Sequence, residues 1–345
     1  MLREINIIGG GLAGLTLGIG LRQRGVPVTV FESGHYPRHR VCGEFISGRG
    51  QDALARLGLR DLLIEAGTVP AKTAIFFLGD TASPVRPIPR PALCISRFVL
   101  DALLAGRFRE LGGNLFERQS WRESGLSEGC VRASGRRIQA HENGWKWFGL
   151  KIHARDVPLT ADLEMHGSSK GYVGMSRLPG DEINICGLFR RPAAGSESAP
   201  PWQEMLRGQK DSAHRHRVEN ASFDQASFCS VAALPLRPRR ARASSECCIG
   251  DALTMIPPVT GNGMSMAFES AEIAAEPLAA YSRNELSWSQ AQIRIARDCD
   301  AAFAQRLAWA KCLQWMMFTL LDRGRLAHIV LCSDLVWRWM FAKTR

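Results

Sequence analysis

Residues 4–8 (EINII) form an apolar run that stops at three consecutive glycines, and residues 12–24 (LAGLTLGIGLRQR) then repeat leucine and isoleucine at helical spacing. The expected structure is strand, tight turn, helix. Gly9, Gly11 and Gly14 fill G-x-G-x-x-G: the first permits the turn, the second lets backbone approach a pyrophosphate, and the third lets helix pack on strand. Leu12 and Ala13 begin the helix, whose N-terminus offers partial positive charge to phosphate. A second β-branched run, VPVTVFE, ends at Glu32, about 20 residues beyond the turn, where a carboxylate accepts from both ribose hydroxyls and repels a 2′-phosphate. A lone glycine pattern is weak, and a plain βαβ unit with a chance acid is its alternative. Strand, helix and acid together point to a dinucleotide with an unphosphorylated adenosine end. The fingerprint does not separate NAD from FAD.

A chain of 345 residues, 46% of them apolar, has room for a sizeable core and two domains. Its formal net charge of +11 attracts polyanions, whether nucleic acid, anionic lipid or a phosphate-bearing cofactor. Arginine is scattered and no run shows the aromatic interleaving of nucleic-acid modules, so no nucleic-acid partner is expected. The ten cysteines lie far apart and no signal-peptide pattern precedes the first strand, which points to reduced thiols and a cytoplasmic protein. The longest apolar stretch, LAWAKCLQWMMFTLL, carries Lys311 and falls short of the roughly 18 residues a spanning helix needs.

Residues 246–275 read ECCIGDALTMIPPVTGNGMSMAFESAEIAA. A short apolar strand stops at Gly250-Asp251, a proline-bearing loop follows, and Gly261-Asn262-Gly263, then Met264, opens a helix. Such a helix start presents a second set of N–H groups to a ligand, and an aspartate after a strand-ending glycine is well placed to hold sugar-like hydroxyls. Taken alone, Asp251 could equally cap a turn. Beside the N-terminal fingerprint, the ligand reading is preferred.

With both stretches in view, the chain resembles the FAD-dependent oxidoreductases of the aromatic-hydroxylase fold, especially their geranylgeranyl-reductase-like branch. The resemblance rests on GGGLAGL with Glu32, YPRHRVCGEF at 36–45, SRFVLDALL at 96–104, YVGMS through NICGL, and GDALTMIPPVTGNGMSMAFESA, over about residues 5–280. It implies an α/β chain with a Rossmann-like FAD-binding domain, a mixed-sheet substrate domain and C-terminal helices. It also implies FAD as the tightly bound cofactor; NAD(P)H is one candidate transient electron donor, and the donor is left open. Gly9, Gly11, Leu12, Ala13, Gly14 and Glu32 would hold the ADP half, Arg40 and Arg97 would lie near the pyrophosphate, and Gly250 with Asp251 would meet the ribityl chain. Gly261, Asn262, Gly263 and Met264 would bring N–H groups to the pyrimidine edge of the flavin, where a helix dipole stabilises an anionic reduced ring. Cys42 and Gly43 would line that ring, Gly43 allowing close approach and Glu44 ordering the loop. Disulfide and metal roles for Cys42 lack partners; nucleophilic catalysis lacks an evident base, although Arg38, His39 and Arg40 could lower the thiol pKa.

The chain departs from its relatives in two places. Hydroxylases carry an Asp-Gly pair in a mid-chain motif; the matching stretch, RASGRR, has Ser134 instead of the aspartate, which weakens NADPH-driven hydroxylation. Related reductases carry Tyr-x-Trp-x-Phe-Pro beside the flavin and halogenases Trp-x-Trp-x-Ile-Pro. In YVGMSRLPG the tyrosine survives as Tyr172, while Gly174 and Ser176 replace the bulky residues. Halogenation is poorly supported, despite Lys72 in a loosely similar stretch, and a wide substrate chamber is expected, since each aromatic ring removed frees about 150–250 Å².

Candidate proton donors are Tyr172, His153, His166, Glu44 and Cys42, with Tyr172 the preferred catalytic residue and His153 and His166 on paired strands. No metal site is expected: Cys247-Cys248 and His214 with His216 give no convergent ligand set. The FAD domain should come from 1–67, 94–143 and 241–285, the substrate domain from 68–93 and 144–240, and a helical segment from 286–345, broken at Asp322-Arg323-Gly324; 191–202 reads as a loop. Trp337, Trp339 and Phe341 mixed with Arg338, Lys343 and Arg345 suit peripheral contact with an anionic membrane. The leading function is reduction of a carbon–carbon double bond in a hydrophobic, polyprenyl- or polyketide-like molecule. The alternatives are a monooxygenase using NAD(P)H and O₂, and a protein that keeps the fold to bind lipid or a partner without turnover.

Overall fold

A computed structural model describes residues 1–79, 81–121, 126–194, 201–320 and 331–344. The opening run forms β1 (Ile5–Ile8), α1 (Leu12–Arg22) and β2 (Val28–Phe31). Next come β3 (Phe45–Ile46), α2 (Arg49–Arg56), α3 (Arg60–Glu65), β4 (Val69–Leu78), β5 (Thr81–Ala82), β6 (Arg86–Cys94) and α4 (Arg97–Glu110). The middle of the chain is mostly strand: β7 (Asn114–Phe116), β8 (Cys130–Arg132), β9 (Trp145–Arg155), β10 (Leu163–Ser168), β11 (Gly171–Arg177) and β12 (Ile183–Pro192). After α5 (Trp202–Arg207), α6 (Ala213–Arg217) and β13 (Ser222–Ala232), the chain finishes in helices α7 (Gly263–Ser282), α8 (Trp288–Leu320) and α9 (Asp334–Thr344).

Among the described residues the strands make two sheets. The smaller is parallel, in the order β7-β2-β1-β8. The two central strands, β1 and β2, are short β-branched runs buried on both faces, as helix-covered parallel sheets require, while β7 forms an exposed edge. Every residue of α1 from Leu12 to Leu21 is buried, because the helix lies among the sheet, α4 and α7. Leu15, Leu17 and Ile19 therefore share one core with Phe268, Ala271, Ala274 and Leu278 of α7.

The larger sheet runs β13-β9-β12-β11-β10-β4-β6-β3, with β5 paired to β4. Phe45–Ile46, expected within the nucleotide domain, instead pairs with Leu93–Cys94 of β6, so the loop from 33 to 46 bridges the two units. Strand register sorts the side chains. Ile152, Val173, Met175 and Ile185 face one side and pack under Trp202, Met205 and Leu206 of α5. Alternation turns Lys151, His153, Tyr172, Gly174, Ser176, Asn184 and Cys186 to the opposite, inner side, toward the nucleotide-binding unit.

His153 and His166 are not on paired strands: β12 and β11 lie between β9 and β10. His166 pairs in register with Val173, so it faces outward, where it contacts Glu164 at 3.0 Å and stacks on Phe77. The expected break at 322–324, Arg345 and much of the 191–202 loop lie outside the described residues. In α9, Trp337 and Phe341 pack inward against the β4–β6 cluster, while Leu335 and Trp339 remain exposed.

Candidate cofactor and substrate site

The three fingerprint glycines do different physical work. Gly9 has φ +112°, and a Cβ there would stand 2.4 Å from the Ala133 carbonyl oxygen; at Gly14 it would stand 1.9 Å from that of Gly9. Both are excluded by backbone. At Gly11 a Cβ would meet nothing within 4 Å, so the space beside it is open. Helix α1 starts from Gly11 with no side-chain cap and no acid in its first turn, leaving its dipole to an external anion.

Glu32 is buried at the end of β2. It accepts from the Gly10 amide (2.9 Å) and the Gly34 amide (2.7 Å) and is 2.8 Å from Arg38. Burial alone would raise its carboxyl; Gly34 and Arg38 outweigh that and hold it below the usual range. Tyr36 donates its hydroxyl to the Gly10 carbonyl and lies over that glycine. Neither Tyr36 nor the Arg38–Glu32 pair was foreseen as part of the adenosine end.

Arg40 carries a buried Nε with no hydrogen-bond partner, and burial, then Arg38 and Arg97, push its pKa down. The Nε of Arg136 is likewise unpartnered, and burial lowers that group too. Two under-compensated guanidinium groups close to the dinucleotide machinery suit a diphosphate. Arg97, expected in the same role, is instead held bidentate by Asp101 at 2.7 and 2.8 Å, four residues along α4.

Asp251 follows Gly250, whose φ of +59° and 2.8 Å virtual Cβ contact with Ala13 explain the glycine. The aspartate is exposed, and desolvation by the protein around it pushes its pKa up to about 6 against the pull of Arg97 and Arg136. Beyond it, Gly261 has φ +63° and meets the Phe45 ring, Asn262 is buried, and Gly263-Met264 start α7 with no side-chain cap hydrogen bond and no acid in the first turn. Open space at Gly11, unpartnered arginine nitrogens, the Asp251 carboxyl and two uncapped helix starts fit the groups of a flavin dinucleotide.

The wall at 42–45 is tied to the inner face of the large sheet. Asn184 donates to the Cys42 carbonyl (3.0 Å) and Ser176 to the Gly43 carbonyl (3.0 Å). Glu44, fully buried with φ +56°, accepts from the Arg97 amide (2.8 Å) and contacts His153 Nε2 (2.7 Å) and Lys151 Nζ (3.4 Å). Burial would raise its carboxyl; His153 and Lys151 outweigh that and lower it. His153 Nδ1 meets Glu182 at 3.1 Å. Lys151 Nζ is also 3.1 Å from His39 Nδ1, an imidazole that burial and then Lys151 push down to about 4, so its ring is neutral and accepts. Sequence reasoning named Glu44 and His153, and His39 only as a neighbour of Cys42, but missed Lys151 and Glu182, because nothing local marks them. The Cys42 thiol, which Arg38, His39 and Arg40 could have lowered, is instead raised by burial, and Arg38 is paired with Glu32.

On the substrate side, Tyr172 is 5% exposed in an apolar cluster with Trp147, Leu188, Leu234 and Phe318, and its hydroxyl has no partner. Gly174 keeps open space above it, whereas the space over Ser176 is filled by the 42–45 wall. Lys72 is exposed, its backbone amide bonded to Asp162. Among the described residues no group of three or more His, Cys, Asp or Glu side chains is placed to hold a metal ion, and no helix is long and apolar enough to cross a membrane.

Residues 7–45 match the family described as NAD(P)-binding Rossmann-like domain. Conditioned medium factor receptor 1 of Dictyostelium discoideum is 25% identical over 126 residues, 33% of this chain and 25% of that protein, so the match spans about a quarter of that relative's length. Among solved structures, a flavin-dependent brominase superposes with TM-score 0.74 at 19% identity, over 98% of this chain and 92% of that one. A flavoprotein/dehydrogenase from Cytophaga hutchinsonii gives 0.72 at 14% identity, over 96% and 89%. P. aeruginosa PqsL in complex with 2-aminobenzoylacetate gives 0.69 at 15%, over 95% and 99%. The chain has the mixed α/β fold of the flavin-dependent halogenases, with a Rossmann-like nucleotide-binding unit at its start.

Proposed function

We propose that the protein is an FAD-dependent oxidoreductase acting on an apolar molecule held against the inner face of the large sheet, with carbon–carbon double-bond reduction as its reaction. The observation that carries the cofactor assignment is the pairing of two uncapped helix starts with unpartnered Arg40: one anion site at α1, a second at α7, and Asp251 between. Bound FAD supplies hydride and electron transfer. The chain's part is to hold the diphosphate at Gly11 and Arg40, accept ribityl hydroxyls at Asp251, fix the 42–45 wall through Asn184, Ser176 and Glu44, and exclude water with Trp147, Leu188 and Phe318.

Reduction is favoured over NADPH-driven hydroxylation by Ser134, which is exposed next to Ala133 at the Gly9 turn and offers no carboxylate there. Purified protein should be yellow or should take up FAD from solution, and a colourless protein that refuses FAD would leave only non-catalytic binding. Substrate-coupled oxygen consumption with NAD(P)H would shift the reaction to hydroxylation; substrate reduction without oxygen supports the reading given. Peripheral membrane contact is a separate proposal, supported by exposed Leu335, Arg338 and Trp339 on α9, and equal pelleting with anionic and neutral liposomes would end it.

A further inference from the structure

The Tyr172 hydroxyl is a buried donor that the protein leaves without a partner in apolar surroundings. Such a group carries a penalty comparable to a lost hydrogen bond, and buried polar atoms are nearly always paired. Burial pushes its pKa far above that of an ordinary phenol, so it stays a neutral O–H. Around it stand Trp147 and Leu188 from the sheet, Phe318 from α8, and Met255 and Val259 from the loop that leads into α7.

Strand alternation puts Gly174 on the same face, one pleat along, opposite Cys186. A Cβ at Gly174 would meet only two carbonyl oxygens, at 3.8 and 4.0 Å, and both Gly174 and Cys186 keep partial exposure. One pleat further, Ser176 and Asn184 are tied to the 42–45 wall, which closes that end. The result is a short apolar floor with one unpaired donor at its far end.

We propose that Tyr172 Oη is the recognition donor of this site, and that the substrate is an apolar molecule carrying a carbonyl oxygen. This rests on the reading of the inner face as the substrate side of a flavin enzyme. A pure hydrocarbon, such as an unfunctionalised polyprenyl chain, would leave the phenol unsatisfied. An alcohol would accept the bond but bring a second donor, and Trp147, Leu188, Leu234 and Phe318 around the phenol offer it no side-chain acceptor; the unpaired Asn184 Oδ1 lies at the walled end of the face. A carbonyl accepts and adds nothing to satisfy.

The test uses a matched pair, 2-acetylnaphthalene and 2-ethylnaphthalene, whose binding to the flavin-loaded protein is measured by equilibrium dialysis, with flavin content determined in the same samples. Wild type should bind the ketone about tenfold more tightly. Tyr172→Phe should bind the two equally, keep wild-type affinity for the ethyl compound, and melt no lower than wild type, since it removes an unsatisfied group. Equal binding of the pair by wild type, binding of neither, or a ketone preference that survives in Tyr172→Phe overturns the proposal. Flavin uptake with no ketone preference defeats this inference and spares the enzyme reading; a Tyr172-dependent preference in protein that will not take up FAD does the reverse.

Discussion

Two residues show how their surroundings set the chemistry. Asp251 has a folded pKa raised from 3.8 to about 6 by crowding, so the fold favours its protonated form. The stability this contributes is present below the unfolded value and is lost as pH rises through the folded one, between about 4 and about 6. Asp251→Asn should flatten the fall in melting temperature over that window and weaken FAD retention, because an amide offers the ribityl hydroxyls a single acceptor oxygen. Parallel melting curves for variant and wild type would refute the assignment. Lys151 makes the opposite point. It is fully buried, and Lys151→Met leaves Glu44 only its His153 and Arg97-amide partners, which should cost about 1–3 kcal/mol. Adding Glu44→Gln should recover part of that loss; strict additivity in urea unfolding would show that the two do not act as a pair.

At the scale of one element, the opening strand–turn–helix separates folding from binding. Gly14→Ala forces a Cβ into the Gly9 carbonyl and should abolish soluble folded protein. Gly11→Ala meets open space at a φ of −81°, so it should keep the wild-type melting temperature. It should nevertheless lose FAD affinity by tenfold or more, because the methyl projects where a phosphate would approach. A flavin titration of Gly11→Ala that matches wild type would remove the diphosphate from this turn. This element was legible in the sequence because its glycine spacing, apolar runs and Glu32 lie within about 30 residues, although the backbone that excludes a Cβ at Gly9 belongs to Ala133. The inner face of the large sheet was only half legible: Tyr172 was picked out, but its missing partner, and the outward turn of His166, depend on register among strands that are not adjacent in sequence.

For the whole molecule, the C-terminal helix is part of the substrate unit. Arg86 of β6 meets Asp334 at 2.8 Å and lies over Trp337, while Trp337 and Phe341 cover Phe76 and neighbours on β4 and β6. Trp339 packs on Trp309 of α8, with ring centroids 4.4 Å apart. Deleting 331–345 should expose that apolar face and lower the melting temperature while leaving the Gly9–Glu32 unit intact, so the truncated chain should aggregate yet still bind FAD. A deletion that melts and scatters light like the full chain would show that α9 is not needed to cover the sheet.

The sequence by itself determined the nucleotide-binding start: the glycine spacing, the β-branched strands and Glu32 act over about 30 residues, and steric exclusion at Gly14, by the Gly9 carbonyl, follows from that local chain path, whereas the clash at Gly9 is with the distant Ala133 backbone. Tertiary structure decided the rest of the site. Glu44 meets His153, and His39 meets Lys151, across 109 and 112 positions. Arg97 was captured by Asp101, and the Cys42 thiol was raised rather than lowered. Residue types announce which groups can ionise or donate. Which of them are buried, paired or left alone is set by register and packing between distant segments, because desolvation and Coulomb interaction act through space rather than along the chain.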